Sequence, residues 1–314
     1  MSGWKEEKKE EKVFIRVAVD SGSDLPEEWT KRYSIRVINN HIITETGTFD
    51  DTEEVDTDVL FRYMDNGART MQSEPPSVDE FRTFFMSLLR DAEHVMFITL
   101  AKNVSKSYER AKEAASDLER VHIVNSGHLS SAAGMLALYA AHLAETEHDP
   151  DVFLEKTETF RTRIRCSMLL DSTEYMMRNG RISATAHRLM DAFMIHPVIT
   201  AKDSKISVKG IVTGDLDRSR SRYIRGELKQ NKQIDPSLVF VVYAGVSSRE
   251  LEQICALIEE RIKTLRLVCH KLSPALAGNA GPGTFGIIFC VKDSAEQADA
   301  FSFIPEAAQQ EIIV

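Results

Sequence analysis

The segment with the clearest chemical potential lies between Ser105 and Ala111, where the chain reads Ser-Lys-Ser-Tyr-Glu-Arg-Ala. It follows the apolar run Val95 to Leu100, so a buried strand is expected to end where a hydroxyl-rich helix begins. The first turn of a helix has unpaired backbone N–H groups and partial positive charge, which together can hold a small anion. Serine is also a preferred helix cap, and ordinary capping is the alternative interpretation.

Two other predicted strands in the first half also end at hydroxyl groups. Val13 to Val19 leads into Asp20-Ser21-Gly22-Ser23-Asp24, and Val121 to Val124 leads into Asn125-Ser126. Strands that alternate with helices predict a mostly parallel sheet, whose ligand crevice lies beyond the carboxyl ends of the strands. We therefore expect one sheet edge to gather Asp20, Ser21, Ser23, Ser105, Ser107 and Ser126.

A stiff polar segment precedes a predicted helix over Val78 to Arg90. The pair Pro75-Pro76 restricts the backbone around it, so we expect an extended loop that holds Ser73 in place at low entropic cost. Ser77 and Glu80 have the spacing of a capping box, S-x-x-E. Ser77 is therefore expected to be structural.

The composition indicates a folded protein that does not bind polyanions. A chain of 314 residues with 43% hydrophobic residues can bury a sizeable core. A formal net charge of -9 and a pI near 5.6 argue against nucleic acid as a partner. No apolar run approaches the roughly 20 residues that span a bilayer, so the chain is not expected to be integral to a membrane, and peripheral membrane contact stays open.

Four cysteines are spread over the second half of the chain without metal-ligand spacing. They are Cys166, Cys255, Cys269 and Cys290. We expect them to be separate, buried thiols in a reducing cytoplasm, and we expect no metal site.

The pattern of apolar runs predicts a tail and two halves. Met1 to Lys12 mixes Lys and Glu without an apolar stretch, so it is expected to be a disordered tail rather than a signal peptide. A new helix is expected from His148-Asp149-Pro150, close to the boundary between an N-terminal α/β domain at 13–165 and a C-terminal α/β domain at 166–314.

The second half predicts another α/β unit. Residues 199–213 are expected to form a hairpin around Asp203-Ser204, and Ser247 with Glu250 predicts a second capping box. Further strands are expected at Leu238 to Tyr243, Arg266 to Lys271 and Phe285 to Val291.

Six short motifs in a fixed order carry a family resemblance from about Val13 to Val291. They are Asp20-Ser21 with Asp24-Leu25-Pro26, Ser73-Glu74-Pro75-Pro76-Ser77 before Phe81, Ser105-Lys106-Ser107-Tyr108, Asn125-Ser126, Asn179-Gly180-Arg181-Ile182-Ser183 and Asn279-Ala280-Gly281-Pro282-Gly283. Together they resemble the DegV family of fatty-acid-binding proteins. The order and spacing of the motifs, rather than any one of them, make the resemblance specific.

The resemblance implies a fold of two α/β domains, DegV/EDD-like, with a mostly parallel first sheet and a ligand tunnel between the domains. It also implies a bacterial, cytoplasmic, non-catalytic protein without cofactors that binds a long-chain fatty acid. The carboxylate would be held by Ser73 and Ser105, with Arg181 and Asn279 beside them. Supporting residues would be Asp20, Ser21, Ser107, Ser126, Gly281 and Gly283. The two glycines are explained equally well by a tight turn.

Some members of the family present their fatty acid to a kinase that makes an acyl phosphate, so a fatty-acid kinase is a candidate partner. Three departures from the family pattern bear on these roles. Glu74 would repel a carboxylate if it pointed inward, and Lys106 adds a cation at a helix start. Asn279 stands where the family usually has His, which removes a group that could carry charge and weakens the case for the kinase more than for binding.

The acyl chain would lie among flexible or aromatic side chains, although such residues are more often simple core. Candidates lie in Phe84 to Met86, Met168 to Met177 and Met190 to Met194.

Three other functions remain open from the sequence. Ser105 or Ser126 could be the nucleophile of a hydrolase or acyltransferase, but there is no Gly-x-Ser-x-Gly elbow and the base would have to come from a distant histidine. Dinucleotide binding is disfavoured because no Gly-x-Gly-x-x-Gly follows the first strand. A lipid-sensing regulatory protein would have the same sequence features as a lipid carrier. The histidines that folding could recruit are His122, His128, His142 and His270.

Overall fold

The computed structural model describes residues 12–52, 55, 57–67, 69–202, 204–293 and 299–305. The strands are β1 (Val13–Asp20), β2 (Arg36–Ile38), β3 (His41–Thr44), β4 (Gly47–Asp50), β5 (Gln72–Glu74), β6 (Ala92–Thr99), β7 (Val121–Asn125), β8 (Ile164–Leu169), β9 (Ile195–Lys202), β10 (Lys205–Thr213), β11 (Ile234–Ala244), β12 (Leu267–Lys271) and β13 (Thr284–Val291). The α-helices are α1 (Glu27–Arg32), α2 (Thr57–Asp65), α3 (Val78–Leu88), α4 (Ser107–Ala114), α5 (Ser131–Leu143), α6 (Pro150–Arg161), α7 (Glu174–Arg178), α8 (Ala184–Ala192), α9 (Leu216–Glu227), α10 (Ser248–Glu259) and α11 (Pro274–Ala280).

The first sheet has the order β2-β1-β6-β7, and all of its pairs are parallel. Its central strands β1 and β6 are largely buried apolar runs covered by helices, as is typical of a parallel sheet. Phe81 and Phe85 of α3 pack with Phe97 on one face, and Met135 and Leu136 of α5 belong to the core on the other. The predicted mixed α/β fold with a mostly parallel first sheet is therefore confirmed.

The second sheet has the order β10-β9-β8-β13-β11-β12, in which only the pair β11 and β12 is parallel. The predicted hairpin of β9 and β10 is present, and Asp203 at its centre lies outside the described residues. Helix α5 contacts β1 and β6 and also β8 and β13. A single buried apolar cluster contains residues of both sheets, so the two halves share one core.

The predicted domain limits remain a prediction. Strand β8 belongs to the second sheet and begins at Ile164, two residues before the expected start of the second domain at 166. Of the predicted tail at 1–12, residues 1–11 lie outside the described residues. The Nζ of Lys12 donates to the carbonyl oxygen of Leu89 at 3.0 Å.

A small antiparallel sheet, β4-β3-β5, is missing from the sequence-based expectations. The segment expected to be a stiff loop around Ser73 is strand β5, in which Ser73 pairs with Ile42 of β3. The strands are three or four residues long and largely polar, so alternation of apolar residues does not reveal them. Ser73 is thus held by a sheet and not only by the two prolines.

Helix α4 begins later than expected, at Ser107. The N-cap residue is Lys106, whose side chain makes no capping hydrogen bond, and Ser105 lies before the helix. The amides of Val104 and Ser105 donate to the carbonyl oxygen of Ala101, so a turn occupies this segment. The two capping boxes predicted at Ser77 and Ser247 are both present.

The cysteines differ from the expectation of four separate buried thiols. Cys255 is only partly buried, and its Sγ lies 3.2 Å from the Sγ of Cys269. The two residues are 14 positions apart, and the segment between them includes the turn that brings α10 back onto β12, a contact that the sequence did not predict.

None of the described helices has both the length and the apolar character needed to cross a membrane. In the described ranges, no group of three or more His, Cys, Asp or Glu side chains is arranged to hold a metal ion.

Gly134 allows α5 to approach the loop after β1. A Cβ added there would lie 2.5 Å from the carbonyl oxygen of Ser23, which is backbone and cannot move away easily. Gly226 in α9 is a matched control, since nothing lies within 4 Å of a Cβ added there.

Gly134→Ala is therefore expected to lower the free energy of unfolding by about 1–3 kcal/mol, despite the higher helix propensity of Ala. Gly226→Ala is expected to raise it by up to about 1 kcal/mol. Unfolding in urea, followed by circular dichroism, measures both. If both alanines stabilise the protein, helix α5 does not approach the Ser23 backbone as closely at Gly134 as the structure indicates.

Candidate functional site

A cavity of about 930 Å³ lies between segments of the two large sheets. It is lined from the first half by residues around Ser73 and Ser105, and from the second half by β8, the β9–β10 hairpin and α11. All four residues predicted to hold a carboxylate line this one cavity: Ser73, Ser105, Arg181 and Asn279. They come from four different loops or elements, which the fold brings together.

Ser105 has a hydrogen that is free to be donated. Its Oγ accepts the backbone N–H of Ser107 at 3.1 Å, and the Oγ of Ser107 in turn donates to Oδ2 of Asp20 at 2.8 Å. A hydroxyl has one donor and two acceptor sites, so the Ser105 hydrogen can point to an acceptor in the cavity. Asp20 and Ser107 act behind Ser105 as supports for its loop.

Ser73 is positioned by Arg110 of α4. The Nη2 of Arg110 donates to Oε2 of Glu74 at 2.8 Å, and its Nη1 donates to the carbonyl oxygen of Pro75 at 2.5 Å. This clamp joins the Ser73 strand to the helix that follows Ser105. It also pairs the carboxylate of Glu74, so the repulsion expected from Glu74 is compensated.

Arg110 was not selected from the sequence as a functional residue. Glu74 could have indicated that such a cation is present, because a carboxylate beside an anion site needs a cation as a partner.

Asn279 on α11 retains one donor for a ligand. One N–H of its amide donates to the carbonyl oxygen of Ala275 at 2.9 Å, and its Oδ1 accepts from Nδ2 of Asn179 at 3.4 Å. A side-chain amide has two N–H groups, so the second remains.

Three exposed cations line the cavity: Lys106, Arg181 and Lys205. Among the described residues, none of these three side chains makes a hydrogen bond or an ion pair. With Glu74 paired to Arg110, the lining carries a surplus of positive charge and would attract an anion.

The residues predicted to support the site do not line the cavity, and most of their polar groups are bonded within the protein, Oδ1 of Asp20 being an exception. Ser21 Oγ donates to Oδ2 of Asp51 at 2.7 Å, and Ser126 Oγ accepts the N–H of His128 at 3.1 Å. The N–H of Gly281 donates to the carbonyl oxygen of Ala277 and that of Gly283 to the carbonyl oxygen of Ala244. With both N–H groups occupied, the turn interpretation of these glycines is favoured over an anion nest.

Two buried aspartates connect the first half of the chain to α11. Oδ1 of Asp24 accepts the N–H of Ser273 at 3.1 Å, and Oδ1 of Asp51 accepts the N–H of Ala275 at 3.0 Å. Burial raises the pKa of Asp24 to about 8 and raises the pKa of Asp51. Asp20 is also buried, and burial raises its pKa to about 6.

The apolar part of the lining includes Met168, Leu170, Met176 and Ile199. Met168 and Met176 belong to one of the three segments expected to hold an acyl chain. The other two segments do not line the cavity: Phe85 is core, and Met86 and Met194 are exposed.

The geometry does not favour a serine hydrolase. In the part of the chain that the structure describes, no hydrogen bond joins a histidine ring to Ser105 or Ser126. The ring of His128 instead meets the carbonyl oxygen of Arg161, and burial lowers its pKa to about 4. Among the described residues, neither serine therefore has the hydrogen-bonded base that an activated nucleophile requires.

Comparisons with known proteins agree on one family. A family model described as an uncharacterised protein of the DegV family matches residues 14–292. A DegV domain-containing protein of Caldanaerobacter subterraneus is 26% identical over 278 residues, which cover 88% of this chain and 98% of that protein.

Solved structures show the same fold. The structure on fatty acid binding of a DegV family protein from Thermus thermophilus has a TM-score of 0.80 at 22% identity and covers 89% of this chain and 100% of that one. A DegV family protein from Eubacterium eligens loaded with heptadecanoic acid has a TM-score of 0.76 at 16% identity and covers 88% and 100% of the two chains.

Asp24 should make the stability depend on pH. Its pKa of about 8 in the folded state lies above the ordinary 3.8, so the native protein keeps a proton that the unfolded chain releases between those pH values. Raising the pH through this window therefore lowers the free energy of unfolding. In Asp24→Asn the amide can accept from Ser273 and donate to Ser130, so the loss of stability between about pH 5 and about pH 8 should be smaller.

Urea unfolding of the wild type and the variant at several pH values measures this difference. Asp117→Asn is the control, because Asp117 is paired with Arg82 at the surface, its pKa is lowered, and it stays charged across the window. Equal pH dependence in the wild type and Asp24→Asn would contradict the assignment.

Proposed function

This chain belongs to the DegV family, and from that premise we propose that it binds a long-chain fatty acid in the 930 Å³ cavity between its sheets. The observation that carries the proposal is the convergence of Ser73, Ser105, Arg181 and Asn279 on a cavity that continues into apolar side chains. The solved relatives described as fatty-acid-binding support the same ligand class.

In this proposal, the carboxylate accepts hydrogen bonds from Ser73 and Ser105. Both hydroxyls are partly buried, so the hydrogen bonds form away from bulk water and are stronger for it. Asn279 contributes its remaining N–H, and Arg181 contributes charge from the exposed rim. The hydroxyls fix the orientation, and the cations attract the anion from solution.

The acyl chain supplies most of the binding free energy. At about 0.8 kcal/mol per buried CH₂, a chain of about 16 carbons gains more than roughly 10 kcal/mol before the costs of ordering. The cavity lies in the upper part of the size range of small-molecule sites, which suits an elongated ligand. Met168 and Met176 have flexible thioethers that adapt to a bent chain.

The protein acts as a carrier rather than an enzyme in this proposal, and a fatty-acid kinase is its candidate partner. Phosphorylation at the carboxylate would add negative charge. The cations Lys106, Arg181 and Lys205 in the cavity lining would stabilise that added charge. Asn279 can donate a hydrogen bond to the phosphate but cannot carry charge.

A cytoplasmic location and peripheral membrane contact remain predictions. The exposed side chains of Ile206 and Val208 line the cavity and are the ones that membrane contact would involve.

The purified protein is expected to carry a fatty acid, because a ligand with this much buried chain dissociates slowly. Mass spectrometry of the lipids released on denaturation identifies it. A denatured sample with no fatty acid, from protein that also fails to bind added palmitate after delipidation, would contradict the proposal.

Ser105→Ala is expected to weaken palmitate binding about tenfold to a hundredfold, the scale of one hydrogen bond to a charged group. Ser116→Ala, at an exposed serine just after α4, is the control and should bind like the wild type. Displacement of a fluorescent fatty acid measures both affinities. An unchanged affinity in Ser105→Ala would remove Ser105 from the site.

Asn279→His is expected to increase the rate at which a fatty-acid kinase phosphorylates the bound lipid, because an imidazolium adds charge beside the product. Phosphate transfer from labelled ATP measures the rate, with the wild type and Asn279→Gln as references. If His and Gln give the same rate, Asn279 does not limit the hand-off.

A further inference from the structure

Two cysteines of the second half form a close thiol pair away from the cavity. Cys255 lies on α10 and Cys269 on the neighbouring strand β12, at the edge of the second sheet. Their Sγ atoms are 3.2 Å apart. A disulfide bond is about 2.0 Å long, so the sulfurs need to approach by only about 1 Å.

The two thiols have different exposure and acidity. Cys269 is 1% exposed, whereas Cys255 is partly exposed at the surface of α10. A hydrogen bond from the thiol of Cys269 lowers the pKa of Cys255, and the same contact raises the pKa of Cys269. Cys255 therefore has the higher thiolate fraction and the better access, as an attacking thiol requires.

The other two cysteines are less accessible than Cys255. Cys166 and Cys290 are buried, and burial raises the pKa of Cys166 to about 12. They lie on paired strands, but Cys166 is opposite Ile288 and Cys290 is opposite Ile164. The register therefore does not set the two sulfurs face to face.

A small cavity of about 190 Å³ lies on the same two elements as the pair, although neither cysteine lines it. Its wall includes Leu251, one helical turn before Cys255, and Lys271, two residues after Cys269. Tyr243 also lines it, and its buried hydroxyl has no hydrogen-bond partner among the described residues.

We propose that Cys255 and Cys269 are a redox-active dithiol that a hydroperoxide converts into an intramolecular disulfide. The thiolate of Cys255 attacks the outer oxygen of the hydroperoxide, which breaks the O–O bond, forms a sulfenic acid and releases an alcohol, or water from hydrogen peroxide. The sulfur of Cys269 then attacks the sulfenic sulfur, and hydroxide leaves as water with the Cys269 proton. Two thiols lose two electrons, and the hydroperoxide gains them.

Peptide mapping of the full chain tests this directly, because trypsin places each cysteine in a different peptide. Cys255 falls in 250–261, Cys269 in 267–271, Cys166 in 166–178 and Cys290 in 272–292. The delipidated protein is treated with hydrogen peroxide, denatured, alkylated and digested without reductant.

The expected result is a linked peptide of 250–261 with 267–271, an intact mass lower by two hydrogen atoms, and loss of the link on treatment with dithiothreitol. Cys290→Ser should keep the link. In Cys255→Ser, Cys269 should stay open to alkylation. Peroxide treatment that leaves both cysteines alkylated, or that oxidises Cys255 to the sulfinic acid without a link, would overturn the proposal. Because the wild type carries the decisive measurement, the test stands even if a variant folds poorly.

Discussion

Two buried aspartates determine where helix α11, which lines the cavity from the second half of the chain, is placed. Asp24 and Asp51 belong to the first half of the chain, and they accept backbone N–H groups of Ser273 and Ala275, which are 249 and 224 residues away in sequence. Burying a carboxyl group, charged or neutral, costs free energy unless hydrogen bonds replace the lost water. Here the start of α11 and nearby serines supply those bonds. Helix α11 is held against the first half as a result, and Asn279 faces the cavity from it.

The position of Ser73, on the side of the cavity formed by the first half of the chain, depends on a second contact between distant segments. Arg110 joins α4 to the strand that carries Ser73 through the side chain of Glu74 and the carbonyl oxygen of Pro75. Glu74, a departure from the family pattern, is therefore accompanied by a partner that neutralises it. The two hydroxyls proposed to hold the carboxylate are thus positioned through Arg110 and Ser107, which do not line the cavity.

The serines of the predicted sheet edge also fall into two groups, one that lines the cavity and one that supports the surrounding loops. Ser21, Ser107 and Ser126 were expected alongside Ser105 because each follows a parallel strand, and they do lie at that edge. Ser107 donates to Asp20 and Ser21 donates to Asp51, because buried aspartates need hydrogen-bond partners. Only Ser105 of these four lines the cavity. The sequence predicts which sheet edge these serines share, but it does not predict which hydroxyl faces the cavity and which one bonds to a buried aspartate.

The sequence by itself determined the parallel first sheet, the capping boxes at Ser77 and Ser247, the β9–β10 hairpin and the order of polar junctions. These features depend on the spacing of apolar residues and on contacts between residues a few positions apart, and both are visible in the sequence. Only the tertiary structure decided that Ser73 lies in a strand, that Arg110 pairs with Glu74, and that Cys255 meets Cys269. Each of these depends on which surfaces pack together, because a contact between distant segments follows from the arrangement of the whole core and not from the residues next to it in the chain.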